Sequence, residues 1–179
     1  MTRTPASGTE RSLHWLVAGP ALALLATGMV LYAPALSEAI GLRFWVRTLH
    51  LVAAVALAGA PLAVLAVRPR AVLGAERELM VWSGADRDWF LHPWRLLLDR
   101  SGRRPPPARF NGGQRLFAAL AAGGLLVLLL TGVPMYWWGW FSAGLVARAR
   151  DVHVLASFGL AALILGHVYL AVFAPVEER

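Results

Sequence analysis

Five histidines stand in a 179-residue chain that has no cysteine: His14, His50, His92, His153 and His167. Two of them close a single apolar stretch, "HVLASFGLAALILGH", at positions 153 and 167, fourteen residues apart. Fourteen residues of α-helix rise about 21 Å and turn through about 1400°, which is about 40° short of four full turns. His153 and His167 therefore share one helix face at two depths. An ionisable side chain inside an apolar helix is costly and marks function by default. Neutral imidazole is a good metal ligand. Two imidazoles facing across a gap meet the axial demand of a six-coordinate haem iron.

The elements that must position these residues follow from the apolar pattern. Hydrophobic residues make up 58% of the chain and charged residues 15%, with the charges clustered between apolar runs. Four runs, 13–32, 44–67, 116–138 and 152–174, are each long enough to cross a hydrocarbon core of about 30 Å as helix. No stretch alternates with the period of two that barrel strands need, so helices are the spanning solution. The expectation is an all-α integral membrane protein, a four-transmembrane-helix bundle over 13–174. Short tails at 1–12 and 175–179 flank it. The basic start, the apolar stretch and "APALSEA" imitate a cleavable secretory signal. That run is longer than the apolar region of such signals and places His14 and Trp15 at a membrane edge, so it is read as a retained span. The spans pair naturally as two antiparallel hairpins, and no internal repeat is evident.

All seventeen basic residues are arginine. With the N-terminus inside, thirteen fall on inner segments: Arg3, Arg11, ten from Arg68 to Arg115, and Arg179. Only Arg43, Arg47, Arg148 and Arg150 fall outside. The positive-inside rule places both termini and the 68–113 loop in the cytoplasm of a bacterial inner membrane. The net charge of +7 reflects this topology, and no nucleic-acid-binding pattern accompanies it. The loop's "AERELMVWSGADRDWFLHPWRLLLDR" mixes charge and aromatics, as suits a helix at the membrane surface or docked beneath the bundle. His92 in that loop reads as a surface or packing residue. Trp137, Trp138 and Trp140 form an aromatic belt at the outer end of the third span.

This topology sorts the remaining histidines into pairs. His50 and His153 lie near the outer surface; His14 and His167 lie toward the inner one. Each pair draws on two helices, so the expectation is two haems, one per pair. The absence of cysteine excludes disulfides, thiolate-held metal or iron–sulfur clusters and thioether-linked haem, which leaves non-covalent haem b. Gly28, Gly59, Gly159 and Gly166 are small enough to let a macrocycle lie close to backbone. Arg47 and Arg150 each precede an outer histidine by three residues and are candidate partners for that haem's propionates, with Arg11 or Arg115 for the inner one. Histidines that only pack helices, another metal, and a proton or zinc carrier are the alternatives. Carriers usually add intramembrane carboxylates, and the span interiors hold none. His14 sits almost at its span boundary while His167 lies about two turns inside its own, so the first helix must start earlier or tilt.

One segment carries a family likeness. "RFNGGQRLFAALAAGGLLVLLLTG" resembles the start of the third helix in gamma subunits of membrane-bound, quinone-reducing formate dehydrogenases. Those are four-helix dihaem cytochromes b with two histidines fourteen apart in helix four. The likeness covers roughly residues 10–172 and is strongest from Arg109 to Tyr169. It implies that His50 and His153 ligate the outer haem, which receives electrons from an iron–sulfur subunit, and that His14 and His167 ligate the inner haem. It also implies a menaquinone pocket at Asn111, Gly113, Gln114 and the His167 region; ubiquinone is the alternative acceptor. An amide and glycine backbone can hydrogen-bond a quinone carbonyl, and the same "FNGGQ" also reads as a loop and helix cap. Substrate oxidation belongs to a catalytic partner subunit, because this chain holds no molybdenum, nickel or iron–sulfur ligand set. Cytochromes b of hydrogenase or thiosulfate-reductase complexes, and a haem-free membrane anchor, are the competing readings. The expected partners are the iron–sulfur and catalytic subunits, membrane lipid and quinone, with no nucleic acid.

Overall fold

The computed structural model describes residues 8–82, 84–91, 110 and 112–173. Among these the elements are α1 (Gly8–Tyr32), α2 (Pro34–Ile40), α3 (Arg43–Val67), α4 (Pro69–Met80), α5 (Gly84–Leu91), α6 (Gly112–Tyr136), a 3-10 turn (Trp138–Trp140) and α7 (Ala143–Phe173). Helices α1, α3, α6 and α7 are long and apolar enough to cross a membrane, so the protein is all-α with four spans. It divides into two compact units, Thr2–Glu78 and Leu79–Arg179, each built on one helical hairpin.

In the first unit α1 packs antiparallel to α3. Thr9 Oγ1 accepts from Arg68 Nη1 at 2.8 Å at one end, and Thr27 Oγ1 lies 2.8 Å from His50 Nδ1 near the other. The connection contains its own short helix. Pro34 opens α2, where its missing N–H costs nothing. Gly41 closes it in the left-handed conformation at φ 65°, its N–H donating to Ser37 O at 3.1 Å. A side chain would be strained there. Arg43 Nη1 then donates to the buried Ser37 hydroxyl at 2.8 Å, tying the start of α3 to α2.

In the second unit α6 and α7 meet in a regular register. Thr131 faces His153, Gly124 faces Leu160 and Phe117 faces His167. Each step moves seven residues back along α6 and seven forward along α7, two helical turns at a time. The fourteen-residue histidine spacing is thus matched by an equal spacing of Phe117 and Thr131 on the neighbouring helix. Ser142 caps α7, its Oγ accepting from Leu145 N at 3.3 Å. Trp137 and Trp140 stack at 6.2 Å beside the connection.

Two helix ends differ from the apolar limits for physical reasons. α1 starts at Gly8, which places His14 in its second turn rather than at its edge. α7 starts at Ala143, because a helix continues past the hydrocarbon where Arg148, Arg150 and Asp151 face water. Pro20, Pro61 and Pro134 lie inside α1, α3 and α6, as spanning helices tolerate. Most apolar side chains point outward; Val67 is 78% exposed and Leu165 71%. Buried positions such as Ala21, Ala53 and Ala149 are small. In lipid, close approach of helices comes from small residues rather than from a hydrophobic drive.

Of the 68–113 loop, α4 and α5 fall within the described residues. α5 docks on the start of α6 through Asp86, whose Oδ2 lies 3.7 Å from Arg115 Nη1, with each side chain only 6% exposed. Arg115 Nε also donates to Phe110 O at 3.4 Å. His92 lies outside the described residues.

Candidate functional site

The site residues are distributed alike in the two hairpins. His50, eight residues into α3, lies near the connection of its hairpin, and His14 lies at the open end. His153 lies toward the connecting end of the second hairpin and His167 toward the open end. Each expected pair, His50 with His153 and His14 with His167, takes one member from each hairpin.

Both connecting-end histidines are held the same way. Thr27 Oγ1 donates to Ala23 O at 2.6 Å and lies 2.8 Å from His50 Nδ1. Thr131 Oγ1 donates to Val127 O at 2.7 Å and lies 2.9 Å from His153 Nδ1. A hydroxyl has one proton. With that proton on the backbone carbonyl one turn back, the oxygen meets the imidazole as an acceptor. This arrangement favours the hydrogen on Nδ1 and the ring lone pair on Nε2. The next residue is glycine in both helices. A Cβ on Gly28 would lie 3.5 Å from His50 Cε1, and one on Gly132 would lie 3.8 Å from His153 Cε1. These are ordinary contacts, so each ring rests its Cε1 edge over the backbone of the neighbouring helix. Both rings are half-buried.

These threonines reveal a pattern the histidine-centred sequence reading misses. T-G-x3-Y occurs at Thr27–Tyr32 and at Thr131–Tyr136. R-x2-H follows in each case, at Arg47–His50 and Arg150–His153. The expectation of no internal repeat is thereby corrected: the two hairpins repeat a short motif set around one histidine each. Its signal is sparse because most of the intervening residues are interchangeable apolar ones.

At the open end of the second hairpin, His167 stacks on Phe117, with ring centroids 4.4 Å apart and planes 15° from parallel. Phe117 is one turn beyond Gly113 and Gln114, so the first turn of α6 and His167 occupy one end of this unit. Gly113 is half-buried and Gln114 exposed. Asn111 lies outside the described residues. At the first hairpin's open end, the His14 and Trp15 rings meet edge to face at 5.3 Å.

The arginines divide into two kinds. Arg47 and Arg150 are exposed, one turn nearer the connection than their histidines. Arg150 Nε is 4.0 Å from Asp151 Oδ1, and both side chains are about three-quarters exposed, a contact of little energetic weight. Arg115 is buried against Asp86 instead, so of the two inner candidates Arg11 is the exposed one. Among the described residues no three His, Asp or Glu side chains converge as a cage for a bare metal ion.

A family model described as prokaryotic cytochrome b561 matches residues 6–179. No curated protein matches the chain.

Proposed function

Because the chain belongs to the prokaryotic cytochrome b561 family, it is a multi-pass membrane b-type cytochrome of electron transfer, and we propose that it holds two haems b and passes electrons from an outer-face oxidoreductase to quinone. The repeated Thr–His contact carries this reading. Each hairpin offers one imidazole whose Nδ1 lies against a threonine hydroxyl, an arrangement that favours a lone pair on Nε2. That is the protonation state an axial ligand needs. The donor set fits the group: four histidines on the spanning helices, and no thiol for covalent attachment.

In this reading His50 and His153 ligate the outer haem, and His14 and His167 ligate the inner one. When bound, the haems supply one-electron carriers at the two depths that the fourteen-residue spacing sets. The chain's own residues orient the ligands, exclude water from them and balance charge. Arg47 and Arg150 take the outer propionates through charge-assisted hydrogen bonds. Arg11, one turn before His14, serves the inner ones.

Gly113 and Gln114, in the first turn of α6, would form the quinone-facing edge, and Asn111 precedes them in the sequence. The N–H groups of a helix's first turn lack intrahelical acceptors and suit a quinone carbonyl. Quinone reduction takes up two protons with two electrons. The arginine bias supports a cytoplasmic position for this edge, both termini and the 68–113 loop. Electrons arriving from outside while protons are taken from the cytoplasm charge the membrane. The likeness of the Arg109–Gln114 segment to formate dehydrogenase gamma subunits makes an iron–sulfur subunit of that class the preferred donor.

The test is purification of the chain from its native membrane. The expected result is a reduced b-type spectrum, a pyridine haemochrome of two haems per chain and a co-purifying formate-dehydrogenase-type iron–sulfur subunit. Asn111→Ala is expected to slow quinone turnover several-fold while sparing both haems. A colourless, folded preparation overturns the reading. Co-purification with a hydrogenase instead reassigns the donor and leaves the dihaem core standing.

A further inference from the structure

We propose that Thr27 and Thr131 are paired positioning residues that fix the tautomer of His50 and His153 and thereby lower the reduction potential of the single haem those histidines share. The inference rests on the reading that both histidines ligate the outer haem, and it adds what governs that haem's redox poise.

Three observations converge on the two threonines. Each hydroxyl lies within hydrogen-bond distance of Nδ1, at 2.8 Å for His50 and 2.9 Å for His153. Each hydroxyl proton is already committed to the carbonyl four residues back, at 2.6 Å and 2.7 Å. Each threonine is followed by a glycine over which the ring's Cε1 edge lies. The ring is therefore seated at two points, a hydrogen-bond acceptor at Nδ1 and backbone at Cε1. The neighbourhood is closed enough for the contact to matter: Thr27 is buried, and Thr131, His50 and His153 are half-buried.

The chemical consequence follows from the direction of the hydrogen bond. An oxygen accepting from Nδ1–H draws the proton outward and leaves more electron density on the ring. Nε2 then donates more strongly to a metal. A stronger donor favours the ferric over the ferrous ion, so the potential falls. Both threonines act on one iron with the same sign. Helix threonines commonly bond their own backbone with no such role. Thr48 in α3 does so, donating to Phe44 O at 3.0 Å from a half-buried position, and it serves as the internal control.

The experiment is a spectroelectrochemical redox titration of the purified full chain, with low-temperature EPR of its ferric haems. The variants are Thr27→Val, Thr131→Val, Thr131→Ser and Thr48→Val, with His50→Ala and His153→Ala identifying the outer haem. Valine keeps the threonine shape and removes the acceptor. Thr27→Val and Thr131→Val should each move the same midpoint potential upward and shift that haem's low-spin EPR signal. The other haem's potential and signal stay in place, which reports an intact fold. Thr131→Ser should return the potential toward that of the parent, and Thr48→Val should move nothing. If the two valine variants shift different haems, the shared-haem assignment fails and takes the proposal with it; if neither potential nor EPR signal moves while both histidine variants lose the outer haem, the proposal fails and the ligand assignment survives. If His50→Ala and His153→Ala retain both haems, the ligand assignment fails and takes the proposal with it.

Discussion

At His167 the neighbour across the helix seam is a phenyl ring, where at His153 it is a hydroxyl. Near-parallel stacking at this distance contributes about 0.5–1.5 kcal/mol beyond area burial and holds the imidazole plane. With His167 as the proposed ligand of the inner haem, Phe117→Ala should therefore weaken retention of that haem by about tenfold, since about 1.4 kcal/mol corresponds to one decade, and leave the proposed outer haem's spectrum intact. Quantitative haem extraction followed by visible spectroscopy reads both. The histidines were legible in the sequence because an ionisable group in an apolar run is rare. Thr27, Thr131 and Phe117 were not. A threonine bonded to its own backbone and an aromatic in a spanning helix are both commonplace, and only a partner 22 or 23 residues away singles out the threonines.

The seven-residue register of α6 against α7 makes its own prediction at the scale of elements. Gly124 lies opposite Leu160, where an added Cβ would sit 3.9 Å from Leu160 Cδ1, while nothing lies within 4 Å of such a Cβ at Gly123. Gly124→Leu should force the seam open at a cost of about 1–3 kcal/mol, whereas Gly123→Leu should be tolerated. Thermal denaturation in detergent distinguishes the two. α5 offers a second test. Removing one member of a buried ion pair costs about 3–5 kcal/mol, so Asp86→Ala should release α5 from α6 and expose the loop to limited proteolysis. The four spans were readable because length and apolarity alone define them. The start of α7 at Ala143 was not, because hydropathy marks the hydrocarbon edge and not the helix end. Nor was the docking of α5, which depends on residues 29 positions apart.

For the whole molecule, the arginine distribution proposes an orientation that single cysteines can test, because the chain has none of its own. Glu38→Cys in α2 and Arg77→Cys in α4 are exposed positions on the connections of opposite proposed sidedness. In intact cells with a permeable outer membrane, an impermeant maleimide should label the first and reach the second only after the inner membrane is opened. The reverse pattern overturns the proposed direction of proton uptake.

The central proposal is that each haem is held by one histidine from each hairpin. Its most direct measurement is the haem content and spectrum of the four single variants His14→Ala, His50→Ala, His153→Ala and His167→Ala. His50→Ala and His153→Ala should lose one and the same haem, His14→Ala and His167→Ala should lose the other, and each variant should retain one haem per chain. Loss of the same haem from His14→Ala and His50→Ala, or full haem content in any variant, would contradict it.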